Sequence, residues 1–162
     1  MNPSNKNLRC GSWLYSTIRD FEGRRLIAYK DFAKGVWTIG YGSTRNVKSG
    51  LVIDKAQAEQ RLLNDVAIAW EGVMLLVMQP IEQYAAEALA DFVYNFGLLK
   101  LKSSSLLHKL NDGQDYLPEF AKWNHAVVGG KMVEVSGLTR RRKAEMEHIL
   151  CKGIYKRNLP NK

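Results

Sequence analysis

The sequence predicts an α+β fold that is mostly α, with a small β-hairpin lobe near the N-terminus and a larger helical lobe. Three observations carry this reading. Apolar residues recur at three- and four-residue intervals over most of the chain, which is the period of a helix with one buried face. One short segment, Val36 to Gly42, is instead rich in β-branched and aromatic residues and flanked by glycines. The length, 162 residues, suits one domain or two lobes sharing a core.

Taken in order, Leu14, Ile18 and Phe21 make an apolar stripe on a helix from about Leu8 to Glu22, which Gly23 stops. Ala28 to Asp31, a turn over Phe32 to Gly35, and Val36 to Gly42 read as a hairpin. In its second strand Trp37, Ile39 and Tyr41 share one face and Thr38 lies on the other. Asp54 and Gln57 resemble a capping box opening a helix over Lys55 to Met78, with Gly72 a weak point and Pro80 forbidding continuation. A second core helix covers Ile81 to Phe96, with Gly97 as its cap. Ser103 to Ser105 can cap a short helix through Leu110, and Asp115 another through Trp123. Asn124 to Gly137 is a loop or small hairpin, and Thr139 opens a helix to Lys152 that Gly153 ends. The reading is one domain over residues 1–162, with an N-terminal lobe of about 20–60 and a helical lobe made of about 61–155 plus the N-terminal helix.

Composition narrows the function. A net charge of +8 favours polyanionic partners: nucleic acid, anionic lipid or an acidic wall polymer. No nucleic-acid motif is present, so a nucleic-acid binder rests on charge alone. The longest apolar run, Val73 to Met78, is far below the roughly 20 residues of a membrane span. Met1 to Asn7 is polar with no apolar stretch and cleavage site behind it, so no secretory signal is expected and the chain should first appear in the cytoplasm. Cys10 and Cys151 should then be thiols. His108, His125 and His148 are scattered, and no Cys/His spacing calls for a metal or other cofactor.

The residues that suggest chemistry are Glu22, Asp31 and Thr38. Two carboxylates straddling a helix end and a hairpin can be brought to opposite walls of one cleft. Glycosidic hydrolysis needs such a pair, one donating a proton to the leaving oxygen and one ionised to activate water or stabilise the transition state. Glu22 lies in a last helical turn, where exposed carbonyls disfavour a carboxylate and suit a proton donor. Asp31, beside Lys30 and Lys34, suits the ionised partner. On spacing alone Glu22 is equally a surface helix residue and Asp31 a turn residue bonding its own backbone.

Glu22-Gly23, Tyr29-Lys30-Asp31 and Gly35-Val36-Trp37-Thr38-Ile39-Gly40-Tyr41-Gly42 resemble the active-site signature of the phage-type lysozymes, glycoside hydrolase family 24. Phe92 to Gly97 is similar to the end of that family's core helix, and Gly137 to Arg142 with Glu145 and Leu150 to its C-terminal helix. The resemblance covers about Phe21 to Leu150 and is nearest the soluble endolysins of lambdoid phages and prophages. It implies a lysozyme-like fold with a cleft between the lobes and an inverting muramidase. That enzyme would cut the β-1,4 bond between N-acetylmuramic acid and N-acetylglucosamine in peptidoglycan, with Glu22 as general acid, Asp31 as second carboxylate and Thr38 holding the attacking water. It also implies a monomer that waits in the host cytoplasm, does not insert stably in the membrane, and reaches the wall through a holin lesion.

Two departures from the family pattern bear on the site. Phe32, Ala33 and Lys34 make three residues before the turn glycine where most relatives have two; in the loop the extra residue leaves Thr38 in place, but as a bulge it displaces Thr38. Ser43 stands where the family usually has His. A weakened, peptidoglycan-binding module is the alternative these changes allow. Tyr94 and Asn95 are candidates for the saccharide cleft, and Ser104 and Ser105 for sugar hydroxyls, although capping alone explains both serines. Among Arg140 to Lys143, one arginine can pair with a cleft carboxylate such as Glu22 while the others form a solvated, wall-attracting face.

Overall fold

In the structure, a computed structural model, residues 2–31 and 35–157 are described, and the side chains of Val128 and residues 151–157 lie outside the description. Helix α1 (Ser12–Glu22) fully buries Leu14 and Ile18 and half-buries Phe21, as the stripe requires. It begins later than the periodicity suggests, because Gly11 is extended at the N-cap. Ahead of it a 3₁₀ turn at Pro3–Asn5 is pinned to the body of the fold. The buried Asn5 amide donates to the Gln79 carbonyl at 2.9 Å and accepts from the Ile81 amide at 3.0 Å. Such a side-chain tie has no periodicity and left no trace in the sequence pattern.

Strands β1 (Arg25–Asp31) and β2 (Val36–Gly40) pair antiparallel, with Asp31 opposite Val36, Lys30 opposite Trp37 and Tyr29 opposite Thr38. The register is regular over these pairs, so no bulge separates the turn from Thr38. Residues 32–34 lie outside the described residues, but the Gly35 amide closes the turn on the Asp31 carbonyl at 2.7 Å with φ +70°, a conformation that favours glycine. The irregularity falls between Arg25 and Tyr29 instead. There β1 turns to residues 51–53, with the Ala28 amide donating to Leu51 and the Ile53 amide to Leu26. The strand is therefore longer than the sequence pattern indicates.

Helix α2 (Lys55–Leu76) opens with both bonds of the capping box, Gln57 amide to Asp54 Oδ1 at 2.7 Å and Asp54 amide to Gln57 Oε1 at 3.0 Å. Its 22 residues span about 33 Å and carry the chain from the hairpin to the helical lobe. Gly72 is a packing contact and not a weak point: a Cβ there would stand 2.7 Å from Leu98 Cδ1. The Asn111 side chain caps the far end, donating to the Leu76 carbonyl and accepting from the Met78 amide.

Helix α3 (Gln83–Phe96) is buried throughout from Ala85 to Val93 and packs against α1, α2 and the C-terminal helix. After Gly97, helix α4 (Leu98–Lys102), which the pattern did not predict, leads to α5 (Ser105–Asn111), capped by Ser104. The segment read as a helix from Asp115 is a 3₁₀ turn, Leu117–Lys122. Asp115 Oδ1 accepts from the Leu117 amide, an Asx-turn at the entry to the segment. Strands β3 (His125–Val128) and β4 (Lys131–Glu134) form a hairpin around Gly129 and Gly130, both at positive φ. Helix α6 (Ser136–Arg157) starts before Thr139 and continues through Gly153, against both expected boundaries. Among the described residues no helix is long and apolar enough to cross a membrane. The Cys10 thiol is half-buried, and burial pushes it up from its ordinary value; the Cys151 side chain lies outside the described residues.

Glu119 ties the 3₁₀ turn to α5. Its carboxylate accepts from Ser105 at 2.5 Å and pairs with Lys109 at 2.7 Å and Lys122 at 2.8 Å, which holds it down to about 2. A carboxyl depressed on folding contributes stability above its unfolded pKa and loses it as pH falls through the folded value. Glu119→Gln is therefore expected to melt earlier than the parent at neutral pH. The gap should close between about pH 4.5 and 2, followed by circular dichroism.

Candidate active site

Glu22 is the last residue of α1, and Gly23 turns the chain away at φ +64°. This helix end is clamped to the small lobe. Arg19 pairs with Glu59 of α2 at 2.6 Å, and the Tyr41 hydroxyl donates to the same carboxylate at 2.6 Å; both bonds lower the Glu59 pKa. The Glu22 side chain is 17% exposed, and its Oε1 accepts from Arg141 Nη1 at 2.6 Å. Its other oxygen, Oε2, lies against Gly42, where a Cβ would stand 2.8 Å away. Gly42 therefore lets the hairpin exit approach the carboxylate, a role that nothing in the sequence spacing reveals.

Asp31 and Thr38 share one face of the hairpin. Tyr29 and Thr38 are direct partners, and Asp31 is two residues from Tyr29, so Asp31 and Thr38 are diagonal neighbours about 7–8 Å apart along the backbone. Burial raises the Tyr29 pKa, and the negative charges of Asp31 and Glu22 raise it further. Arg25 stacks on that ring at 4.6 Å. Thr38 is 1% exposed, and its Oγ1 has no hydrogen-bond partner among the described residues. A buried hydroxyl in that state costs about 1–3 kcal/mol unless something else pairs with it.

A cavity of about 260 Å³ begins at Gly42 and is walled by Tyr94, Val93, Asp65 and Ser43. It shares Arg45 and Asp65 with a second cavity of about 470 Å³ along α2. Ser43 donates to Asp65 at 2.5 Å and so joins the hairpin exit to α2 by a neutral hydroxyl. Tyr94 lines the first cavity, but its hydroxyl is spent on the Tyr41 carbonyl at 2.6 Å. Burial, then the charges of Asp65 and Glu22, raise its pKa strongly. Asn95 is about 100° further round α3 and does not line that cavity; its Oδ1 is buried without a partner among the described residues. Ser104 is 3% exposed, accepts from the Leu107 amide and donates to the Leu101 carbonyl. Ser105 donates to Glu119. Both serines make their hydrogen bonds within the helical lobe, Ser104 buried and Ser105 exposed.

Behind Glu22 lies a buried ionic cluster. Arg141 grips Asp91 with a two-pronged fork, Nε to Oδ2 and Nη2 to Oδ1, both at 2.8 Å, and reaches Glu22 with its third nitrogen. Burial opposes the Asp91 charge, but Arg141 outweighs it and lowers the pKa. Arg142 pairs with Glu145 at 2.6 Å and rests over Phe92 and Phe96. Arg140 and Lys143 are exposed. Of the four-cation run, therefore, two side chains are internal and one holds the candidate acid. His148 is also internal, paired with Glu87 at 2.6 Å and stacked on Trp13 at 3.7 Å.

Fold and site define a glycoside hydrolase of the lysozyme class. Residues 19–145 match the family model described as phage lysozyme. The chain is 41% identical over 131 residues to an endolysin of Acyrthosiphon pisum secondary endosymbiont phage 1, covering 79% of this chain and 88% of that protein. It is 42% identical over 132 residues to an endolysin of Bacillus phage B103, covering 79% of this chain but only 49% of that longer protein. Among solved structures, an endolysin from the Escherichia coli O157:H7 phage FAHEc1 superposes with a TM-score of 0.79 at 32% identity, covering 90% of this chain and 96% of that one. The chain belongs to the phage lysozyme family. Its activity is that of an endolysin, a lysozyme that degrades cell-wall peptidoglycan.

Proposed function

We propose that the chain is an inverting muramidase in which Glu22 protonates the glycosidic oxygen, Asp31 is the ionised second carboxylate and Thr38 holds the attacking water. The observation that carries this reading is the way Glu22 is held. Arg141 fixes one oxygen, and the other abuts Gly42, which lines the cavity walled by Tyr94 and Asp65. The proton donor is thereby oriented before substrate arrives, which is where much of the benefit of acid catalysis lies. The Thr38 hydroxyl, buried without a partner among the described residues, suits a water on the Asp31 side. Tyr94, which lines the cavity, supplies an apolar ring for a sugar to pack on. The unbroken pairing from Asp31 to Thr38 removes the displaced-Thr38 argument for a merely binding module. In the cell the enzyme acts as a monomer that waits in the host cytoplasm and reaches the wall through a holin lesion.

The test is product analysis of digested peptidoglycan. Reducing N-acetylmuramic acid ends of inverted configuration support the reading, whereas anhydro ends show a transglycosylase. Asp31→Asn should lower the rate by at least about 10²-fold with an unchanged circular dichroism melt. A variant that is slow only because it is unfolded would make Asp31 a structural residue.

A further inference from the structure

The second cavity, of about 470 Å³, takes no part in the chemistry proposed for Glu22 and Asp31, yet it lies within the roughly 300–1,000 Å³ typical of ligand sites. One wall is a single face of α2. Gln57, Gln60, Arg61, Asn64 and Asp65 recur there at three- and four-residue steps over about 12 Å of helix. Part of the lining is apolar, with Ile53 buried and Val52 64% exposed. Arg45 and Arg61 bring two guanidinium groups, and neither has an ion-pair partner among the described residues. Arg61 is nevertheless held, since its Nη1 donates to the Arg45 carbonyl at 3.0 Å. Beside Arg45 the chain turns at Asn46, the one non-glycine residue at positive φ among those described, +54°. The acidic wall residue, Asp65, has its Oδ2 occupied by Ser43. Gln60 Nε2 donates to Asn64 Oδ1 at 3.1 Å, which leaves Gln60 Oε1 as an acceptor and Asn64 Nδ2 as a donor.

We propose that this cavity binds the peptide stem of the substrate, with Arg61 and Arg45 pairing with the stem's carboxylates. The inference rests on the muramidase reading, because it sets the stem beside a glycan strand held at the first cavity. In peptidoglycan each muramic acid bears, through its lactyl group, a short peptide with several free carboxylates. The sugars offer amides and hydroxyls. Two guanidinium groups without a counter-ion therefore match the stem and not the strand, since a planar guanidinium meets a carboxylate with two parallel bonds. A peptide backbone also presents donors and acceptors in turn, and Gln60 and Asn64 offer one of each. The lengths agree: an extended peptide of roughly four residues covers about 13 Å, close to the length of the α2 face. Position agrees as well. The two cavities share Arg45 and Asp65, so a peptide in the second can stay attached to a sugar in the first.

The test compares soluble glycan strands that carry stems with the same strands stripped by an amidase that cuts the lactyl–peptide bond. It is run at about 0.15 M salt, where exposed charges more than about 8 Å apart are largely screened. The parent is expected to favour stem-bearing strands in kcat/KM. Arg61→Gln and Arg45→Gln should each cut that preference by about 3- to 10-fold, with the loss in KM on the stem-bearing strands. Because the ratio is internal to each protein, a partly unfolded variant does not distort it. Arg9→Gln removes the same charge from a cavity bounded by Trp70 and Met74, about 14–20 Å further along α2, and should keep the parent's ratio. A parent without preference, arginine variants with the parent's ratio, or an equal loss in Arg9→Gln would each overturn the proposal. A parent that cleaves neither strand defeats the muramidase reading instead. Fluorescence anisotropy of the two labelled strands, which needs no turnover, then decides: tighter binding of stem-bearing strands, weakened in Arg61→Gln, is expected, and equal binding of both strands is fatal.

Discussion

Glu22→Gln is expected to release reducing ends from peptidoglycan about 10²- to 10⁴-fold more slowly than the parent, with nearly the same thermal melt. The amide has the size of the carboxyl and can still accept from Arg141 Nη1, but it cannot give a proton to the leaving oxygen. The structure explains why the fold should tolerate the change. Arg141 keeps its two bonds to Asp91, so losing the Glu22 charge leaves no unpaired guanidinium in the interior. Activity and stability should therefore separate at this position. A parent-like rate would remove Glu22 as the acid.

Arg141→Leu should do the opposite and strike the fold first. Asp91 is 0% exposed and its carboxylate is held by Arg141 alone among the described cations within ion-pair distance. Removing one member of a buried pair leaves a charge with neither water nor counter-ion, a loss of about 3–5 kcal/mol. For a domain of this length that corresponds to a fall in melting temperature of roughly 6–20 °C, read by calorimetry. Any folded fraction should also be slow, because Glu22 loses the group that aims it. A melt within a degree or two of the parent would mean that Asp91 finds another partner or a proton.

Local signals were enough for much of the architecture. Asp54 with Gln57 announced α2 because both halves of that cap lie within one turn. Gly23 after Glu22 marked the end of α1, and the alternating residues of β2 put Thr38 on a definite face because side-chain direction in a strand has period two. The motif that proposes Glu22 and Asp31 as a pair spans fewer than twenty-five residues, so it too lies within local chain. Short elements were less so. The helix α4 and the 3₁₀ turn over Leu117–Lys122 contain too few residues to show a period.

The chain alone thus determined which groups are present and in which local geometry each one sits, because propensity, capping and alternation act between near neighbours. Tertiary structure decided which of them meet. Arg141 reaches Glu22 across 119 positions, Tyr94 reaches Tyr41 across 53, and Ser43 joins Asp65 across 22. Only in the packed interior, where an unpaired charge or hydroxyl is costly, does one arginine of four neighbouring cations become bound to the candidate acid while another goes to Glu145. Burial selects the partner, and burial is a property of the whole fold.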